Sequence, residues 1–408
     1  MIKLLKTLKI TLCVLLTLIT AGTVFSGCGR DKQSSVTETK PAATEKPTVQ
    51  PTTAAPVTVS STGDSSGERQ RRYNFLAIKQ KSDSIYTKLD DIITENNFQG
   101  SVYLKLGNDL EFNKCTGSSD EFQRKKNSLH TSFYTGALTQ HITAAAALKL
   151  NEEKKLSLGD KLEKYFPDCS YGGKVTVRHL LTMTAPIPGY TKKTGGKTVL
   201  ADGLDKKITK DNSEEKNKAE IEKWILSQKL KGKSGEKYSY SDSCYFLLGK
   251  IIEKAAGTSY TSYISENILK PLGMNSSGFK APSALASPYD DTDEKDNKLF
   301  FSGVGFSSFG FISNVSDTIR YIEGIFDENV INSDSLLAMH TAFKGGYGYG
   351  VKIDGDRISI SSKLGAYSAK ITYSTDETEL YVAYSNYASS DSSKLNDLFK
   401  DYLKEFCL

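Results

Sequence analysis

The sequence predicts a mixed α/β (α+β) domain in which an antiparallel sheet is flanked by helices and an all-helical lobe stands beside it. Three observations carry that expectation. Period-two alternation, the mark of strands, occurs near both ends of the folded region. Helical periodicity fills the stretch between. Residues 73–408 have ordinary apolar content, enough for a large core.

Taken in order, residues 82–96 place Ile85, Leu89, Ile92 and Ile93 on one helical face. The run from Gly100 to Leu106 alternates as a strand, and Gly107-Asn108 turns the chain into a second strand over 109–115. An Ala-rich helix is expected over 137–150. Further helical runs are expected at 176–184, 217–229, 242–256 and 259–269, within a helical lobe of about residues 150–300. Strands return at 357–361, 367–374 and 378–385, and a last helix is expected over 392–406. Strands from both chain ends thus build one sheet.

The N-terminus reads as an address. Lys3, Lys6 and Lys9 precede an apolar stretch from Ile10 to Phe25, too short for the roughly 20 residues of a membrane-spanning helix. Ser26-Gly27-Cys28 follows and resembles the lipobox of bacterial lipoproteins, although Phe25 stands where Leu is usual. Residues 1–27 are therefore expected to be a signal peptide and Cys28 the lipidated first mature residue. The domain would then lie at the cell membrane, lipid-anchored on its extracytoplasmic face. Residues 28–72 are rich in Ser, Thr, Pro and charge, a composition that cannot bury enough surface to offset ordering entropy, and are expected to be a disordered linker.

Composition narrows the chemistry. A net charge of +5 with interspersed signs argues against a nucleic-acid groove and suits an anionic wall polymer nearby. Cys115, Cys169, Cys244 and Cys407 fit no metal spacing, and the sequence leaves their pairing open. The histidines at 130, 141, 179 and 340 form no ligand pair, so neither a metal nor a cofactor is expected.

Six blocks then resemble, in order, the serine β-lactamase and penicillin-binding-protein superfamily, in the branch of class C β-lactamases, D-alanyl-D-alanine carboxypeptidases and related esterases. The stretch from Thr131 to Leu150 resembles its nucleophile helix, and Leu156 to Asp160 with Tyr165-Phe166-Pro167 its following segment. Val175 to Thr182 resembles the family's "TIRHLLTH" helix, and Ser234 to Asp242 with Tyr245 to Glu253 its "YSN" block. Pro271-Leu272-Gly273-Met274 matches "PLGM", and Phe309 to Ser313 with Asp317 the stretch before the last helices. Gly345 to Gly350 is similar to the family's "YGYG" approach to a strand. The resemblance implies a β-lactamase/transpeptidase-like fold and a cleft built on three motifs. In the family a Ser-x-x-Lys supplies nucleophile and amine one helical turn apart, and the Tyr of Tyr-x-Asn helps take the hydroxyl proton. An edge-strand Lys/His-Thr/Ser-Gly supplies positive potential, and two backbone N–H groups form the oxyanion hole.

This chain departs at each motif. Alignment on Gly136 and Thr139 puts Ala137 at the nucleophile position and Gln140 at the lysine position, and a one-residue shift rescues neither. Loss of the nucleophile of a serine hydrolase costs on the order of a million-fold in kcat. Tyr240 keeps the Tyr-x-Asn tyrosine, with Asp242 in place of Asn. Lys363-Leu364-Gly365 stands as the edge-strand motif without its hydroxyl, with Lys363 placed to pair with Asp242 across the cleft. The backbone N–H groups of Ala137 and Ala366 would form the residual oxyanion hole. Ser213, Ser234 and Ser277 each satisfy a bare Ser-x-x-Lys pattern, in polar or turn-like segments. Three functions stay open: an inactive homologue binding cell-wall peptide or a protein partner, a hydrolase with an unorthodox residue, and a structural or adhesion lipoprotein.

Overall fold

The computed structural model describes residues 84–108, 110–289 and 297–404. The expected signal peptide, the expected lipidation site Cys28, the expected linker and Cys407 lie outside the described residues. Among those described, no helix is long and apolar enough to cross a membrane.

Six strands form the main sheet. We label them β1 (Gly100–Leu106), β2 (Leu110–Thr116), β3 (Lys352–Asp354), β4 (Arg357–Leu364), β5 (Tyr367–Ser374) and β6 (Glu379–Ser385). Their order is β2-β1-β6-β5-β4-β3, with every pairing antiparallel. The sheet is thus closed by pairing the N-terminal hairpin with the C-terminal strands, Val102 facing Ala383.

Alternation along these strands divides the core in two. Val102, Leu104, Tyr381 and Ala383 pack under helix α1 (residues 84–95) and a C-terminal helix, with Leu89, Ile93, Leu395 and Phe399 filling the layer. Tyr103, Val382 and Tyr384 point the other way, toward the larger core shared with the helical lobe. That larger core centres on helix α2 (Leu138–Glu152), whose Ala144 to Ala147 are fully buried. A helix apolar nearly all round belongs inside a protein, and small side chains let neighbours approach it closely. Helix α3 (Asp242–Ala256) packs against α2 and stops at Gly257, whose φ of +68° suits glycine. Helices α4 (Val315–Phe326) and α5 (Ser333–Met339) follow, and α6 (Ser392–Leu403) is the C-terminal helix over the sheet.

Two differences from expectation matter for the site. A hairpin, Thr191–Thr194 paired with Lys197–Leu200, lies where the sequence suggested only loop. Strand β4 runs to Leu364 rather than ending at residue 361, with Leu364 opposite Tyr367 and a tight turn at Gly365-Ala366. Cys115, Cys169 and Cys244 are free thiols.

Candidate active-site cleft

The first turn of α2 is set by glycine. Gly136 has φ +56°, and a Cβ there would lie 1.9 Å from Ser362 Oγ on β4. Only a residue without a side chain brings the start of α2 against the strand. Thr135 Oγ1 donates to the carbonyl of Phe311 (3.0 Å), and Thr139 Oγ1 accepts from the Phe311 N–H (3.0 Å). Ala137 is the helix N-cap and makes no side-chain cap. One turn later, Gln140 is almost fully buried.

The Gln140 amide is held from both ends. Its Nε2 donates to the Tyr240 hydroxyl (2.8 Å) and approaches Asp242 Oδ1 (3.5 Å), while its Oε1 accepts from the Tyr347 hydroxyl (3.0 Å). Tyr240 in turn donates to Asp242 Oδ1 (2.8 Å), and Thr191 Oγ1 donates to Asp242 Oδ2. The donors run in one direction, Tyr347 to Gln140 to Tyr240 to Asp242, with Thr191 closing the far side. Every side chain in it thus has a hydrogen-bond partner, and both ends of the Gln140 amide are engaged.

The electrostatics oppose proton abstraction. Burial pushes the Asp242 carboxyl above its usual range, against the hydrogen bonds from Thr191 and Tyr240 and the Lys193 charge, which pull it down. Enclosure of its hydroxyl raises Tyr240 well above the ordinary phenol value, and the nearby Asp242 charge raises it further. Tyr240 nevertheless keeps 53% of its surface exposed, because its ring forms part of the cleft wall while the hydroxyl points inward. A tyrosine beside a carboxylate and a neutral amide cannot hold a phenolate near neutral pH. Tyr238 and Tyr347, with ring centroids 5.3 Å apart, extend the aromatic wall, and Ala137 lies at its foot.

Of the residues expected at the site, Ala137, Gln140, Tyr240 and Asp242 come together. Lys363, Gly365 and Ala366 do not. Strand alternation puts Ile358, Ile360 and Leu364 on the core side with α2, so Lys363 emerges on the other face, where its Nζ donates to the Ala388 carbonyl (3.2 Å). The Asp242–Lys363 pair is therefore not formed. Gly365-Ala366 is the turn beyond the strand, and Leu364 lines a separate aromatic pocket with Tyr134 and Phe300. The strand segment beside Gly136 and Gln140 is Ile360-Ser361-Ser362 instead. Sequence reasoning also missed Thr191, which arrives on the unpredicted hairpin, and the role of Tyr347. The tyrosine-glycine run at 345–350 held the signal for the latter: a Cβ on Gly350 (φ +78°) would lie 2.8 Å from the Gln140 carbonyl. Two of the three loose Ser-x-x-Lys matches have structural positions, Ser213 capping a helix and Ser277 donating to Asp317 Oδ2 (2.8 Å).

Comparison with known proteins places the fold. Residues 97–401 match the family model described as Beta-lactamase. The PbpX protein of Bacillus subtilis (strain 168) is 31% identical over 192 residues, 47% of this chain and 44% of that protein. Protein flp of Staphylococcus aureus (strain COL) is 30% identical over 202 residues, 48% of this chain and 38% of that protein. The chain thus spans less than half the length of these two curated relatives. The crystal structure of a penicillin-binding protein from Bacillus halodurans superposes with a TM-score of 0.65 at 21% identity, covering 78% of this chain and 100% of that one, a likeness of fold.

Proposed function

This chain belongs to the beta-lactamase family, and from that premise we propose that it is a catalytically silent, extracytoplasmic lipoprotein whose former cleft binds cell-wall peptide or a protein partner. The observation that carries the reading is the pairing of Ala137 with a locked Gln140. Ala137 has no atom to acylate. Gln140 cannot accept a proton, and its amide is already bonded to Tyr240 and Tyr347 at 2.8 and 3.0 Å. A family hydrolase needs an activated hydroxyl and a base in hydrogen-bond reach of it. Here those positions hold a methyl group and a satisfied amide.

What survives is suited to binding. Tyr238, Tyr240 and Tyr347 give an aromatic wall, and the carboxyl of Asp242 is turned inward on Thr191 and Tyr240 rather than out to a ligand. The outer edge of β4 is also open, because β3 pairs only with residues 357–359. An extended peptide laid on that edge would find main-chain partners at 360–364. Any carbonyl-binding pair of N–H groups would combine Ala137 with the Ser362 stretch rather than with Ala366.

The binding half is tested by thermal denaturation of the full chain with soluble muropeptides. Saturable stabilisation is expected, because a ligand that binds only the native state raises Tm. Tyr240→Ala should abolish it, whereas a shift that is absent, or unchanged in Y240A, contradicts the proposal. The address is tested by fractionation, where Cys28→Ala should release the protein from membranes into the medium.

A further inference from the structure

A second polar cluster lies on the opposite face of the sheet from Gln140, around the edge of β4. Ser359 and Ser361 project there, and the ammonium of Lys370 on β5 donates to both hydroxyls, at 2.6 and 2.9 Å. Arg357 and Lys400 line the same 640 Å³ cavity, which continues past the strand edge to Ala137 and Tyr240. Arg357 is engaged by Glu379. Among the described residues, Lys370 and Lys400 have no carboxylate within the 4.0 Å of an ion pair. Asp397, Asp391 and Asp354 are the acidic groups in the neighbourhood. Burial, with Lys400 and Arg357 adding to it, lowers the Lys370 pKa against the pull of Asp397 and Asp391.

Hydrogen-bond counting shows where the unused donors point. A lysine ammonium has three N–H donors, and a serine hydroxyl has one donor beside its acceptor lone pairs. Because both serines accept from Lys370, each must send its own O–H elsewhere. Both serines line the cavity, and Ser361 is exposed beyond the end of β3. Two hydroxyls, the Lys370 ammonium and Lys400 thus line one cavity, with no carboxylate among the described residues in ion-pair range of either lysine.

The geometry points to a phosphate-binding site formed by Ser359, Ser361, Lys370 and Lys400. A set of separate single donors matches the several oxygens of a tetrahedral phosphate. A planar carboxylate is served best by a two-pronged guanidinium, and the Arg357 fork is already taken. The site is separate from the former catalytic residues, yet it shares their cavity. A ligand carrying a phosphate could be anchored here while the rest of it crosses the open edge of β4.

The test is isothermal titration calorimetry on the full chain at fixed ionic strength, with inorganic phosphate, glycerophosphoglycerol and acetate as probes. Saturable phosphate binding is expected, at least about ten-fold tighter than acetate. Lys370→Gln and the double variant S359A/S361A should each weaken it about ten-fold or more, the equivalent of one charge-assisted hydrogen bond. K363Q, which changes an exposed lysine outside the cluster, should leave it unchanged. The serine variant decides the matter should K370Q fail to fold. Equal affinity for the phosphodiester assigns the site to a lipid headgroup or polymer, and preference for the inorganic ion assigns it to free phosphate. The proposal is overturned by absent phosphate binding, by acetate binding as tightly, or by phosphate affinity that survives S359A/S361A.

Discussion

Gln140 and His141 are neighbours on one helix, and they head two hydrogen-bonded chains of opposite character. The Gln140 chain faces the cleft, ends on the carboxylate of Asp242 and passes through Tyr240, whose ring is half exposed. The His141 chain is sealed in the core. His141 Nδ1 meets the Tyr321 hydroxyl at 2.7 Å, its Nε2 meets Tyr373 at 2.9 Å, and Tyr373 meets His340 Nε2 at 2.9 Å. Burial lowers both histidines, so this chain is neutral throughout. On the proposed reading, the contrast shows how a cleft is disarmed without being dismantled. The base position has become an amide whose hydrogen bonds are as complete as those of a purely structural network.

The comparison is broken most severely from the core side. His141→Ala should cost about 3–5 kcal/mol in chemical denaturation, because it opens a cavity, strands the Tyr321 hydroxyl and leaves Tyr373 with His340 alone. A loss below about 1 kcal/mol would mean the chain carries little stability.

Acid should separate the two chains next. His340 is depressed from 6.5 to about 4 by burial, so the protonated form is favoured in the unfolded state. The native state should hold its full stability above the ordinary histidine range and lose up to about 3 kcal/mol as pH falls from 6.5 to about 4. The raised carboxyl of Asp242 acts in the opposite direction and offsets part of the slope. Denaturant midpoints across that range check this, and His340→Gln should flatten the curve.

On the cleft side, Gln140→Ala should cost about 1–3 kcal/mol, since Tyr347 loses its acceptor and Tyr240 its donor. Loss of cleft ligand binding in the same variant would tie the network to recognition. Smallest of all, Lys363→Gln should change stability by no more than about 0.5 kcal/mol and leave cleft binding untouched. A large effect on binding would restore Lys363 to the cleft and contradict its outward placement.

Much of this was legible in the sequence. The helix boundaries at 242–256 and the pairing of both chain ends followed from periodicity and length. Ala137, Gln140, Tyr240 and Asp242 were found through the family resemblance, aligned on Gly136 and Thr139 and on the block from Ser234 to Asp242. The register of β4 was not. Ser361-Ser362-Lys363 is a polar run that reads as loop, yet an uncovered edge strand is where polar residues and lysine are expected. Three more residues of strand put Ile360-Ser361-Ser362, rather than Lys363-Leu364-Gly365, beside the start of α2. Thr191 and Tyr347 reach the site from 51 and 207 residues away from their partners, and periodicity carries no information over such separations.

The central claim is that acyl chemistry is absent, and intact-protein mass spectrometry after incubation with a fluorescent penicillin tests it most directly. The wild-type chain should keep its mass and remain unlabelled, whereas a stoichiometric covalent adduct would contradict the account.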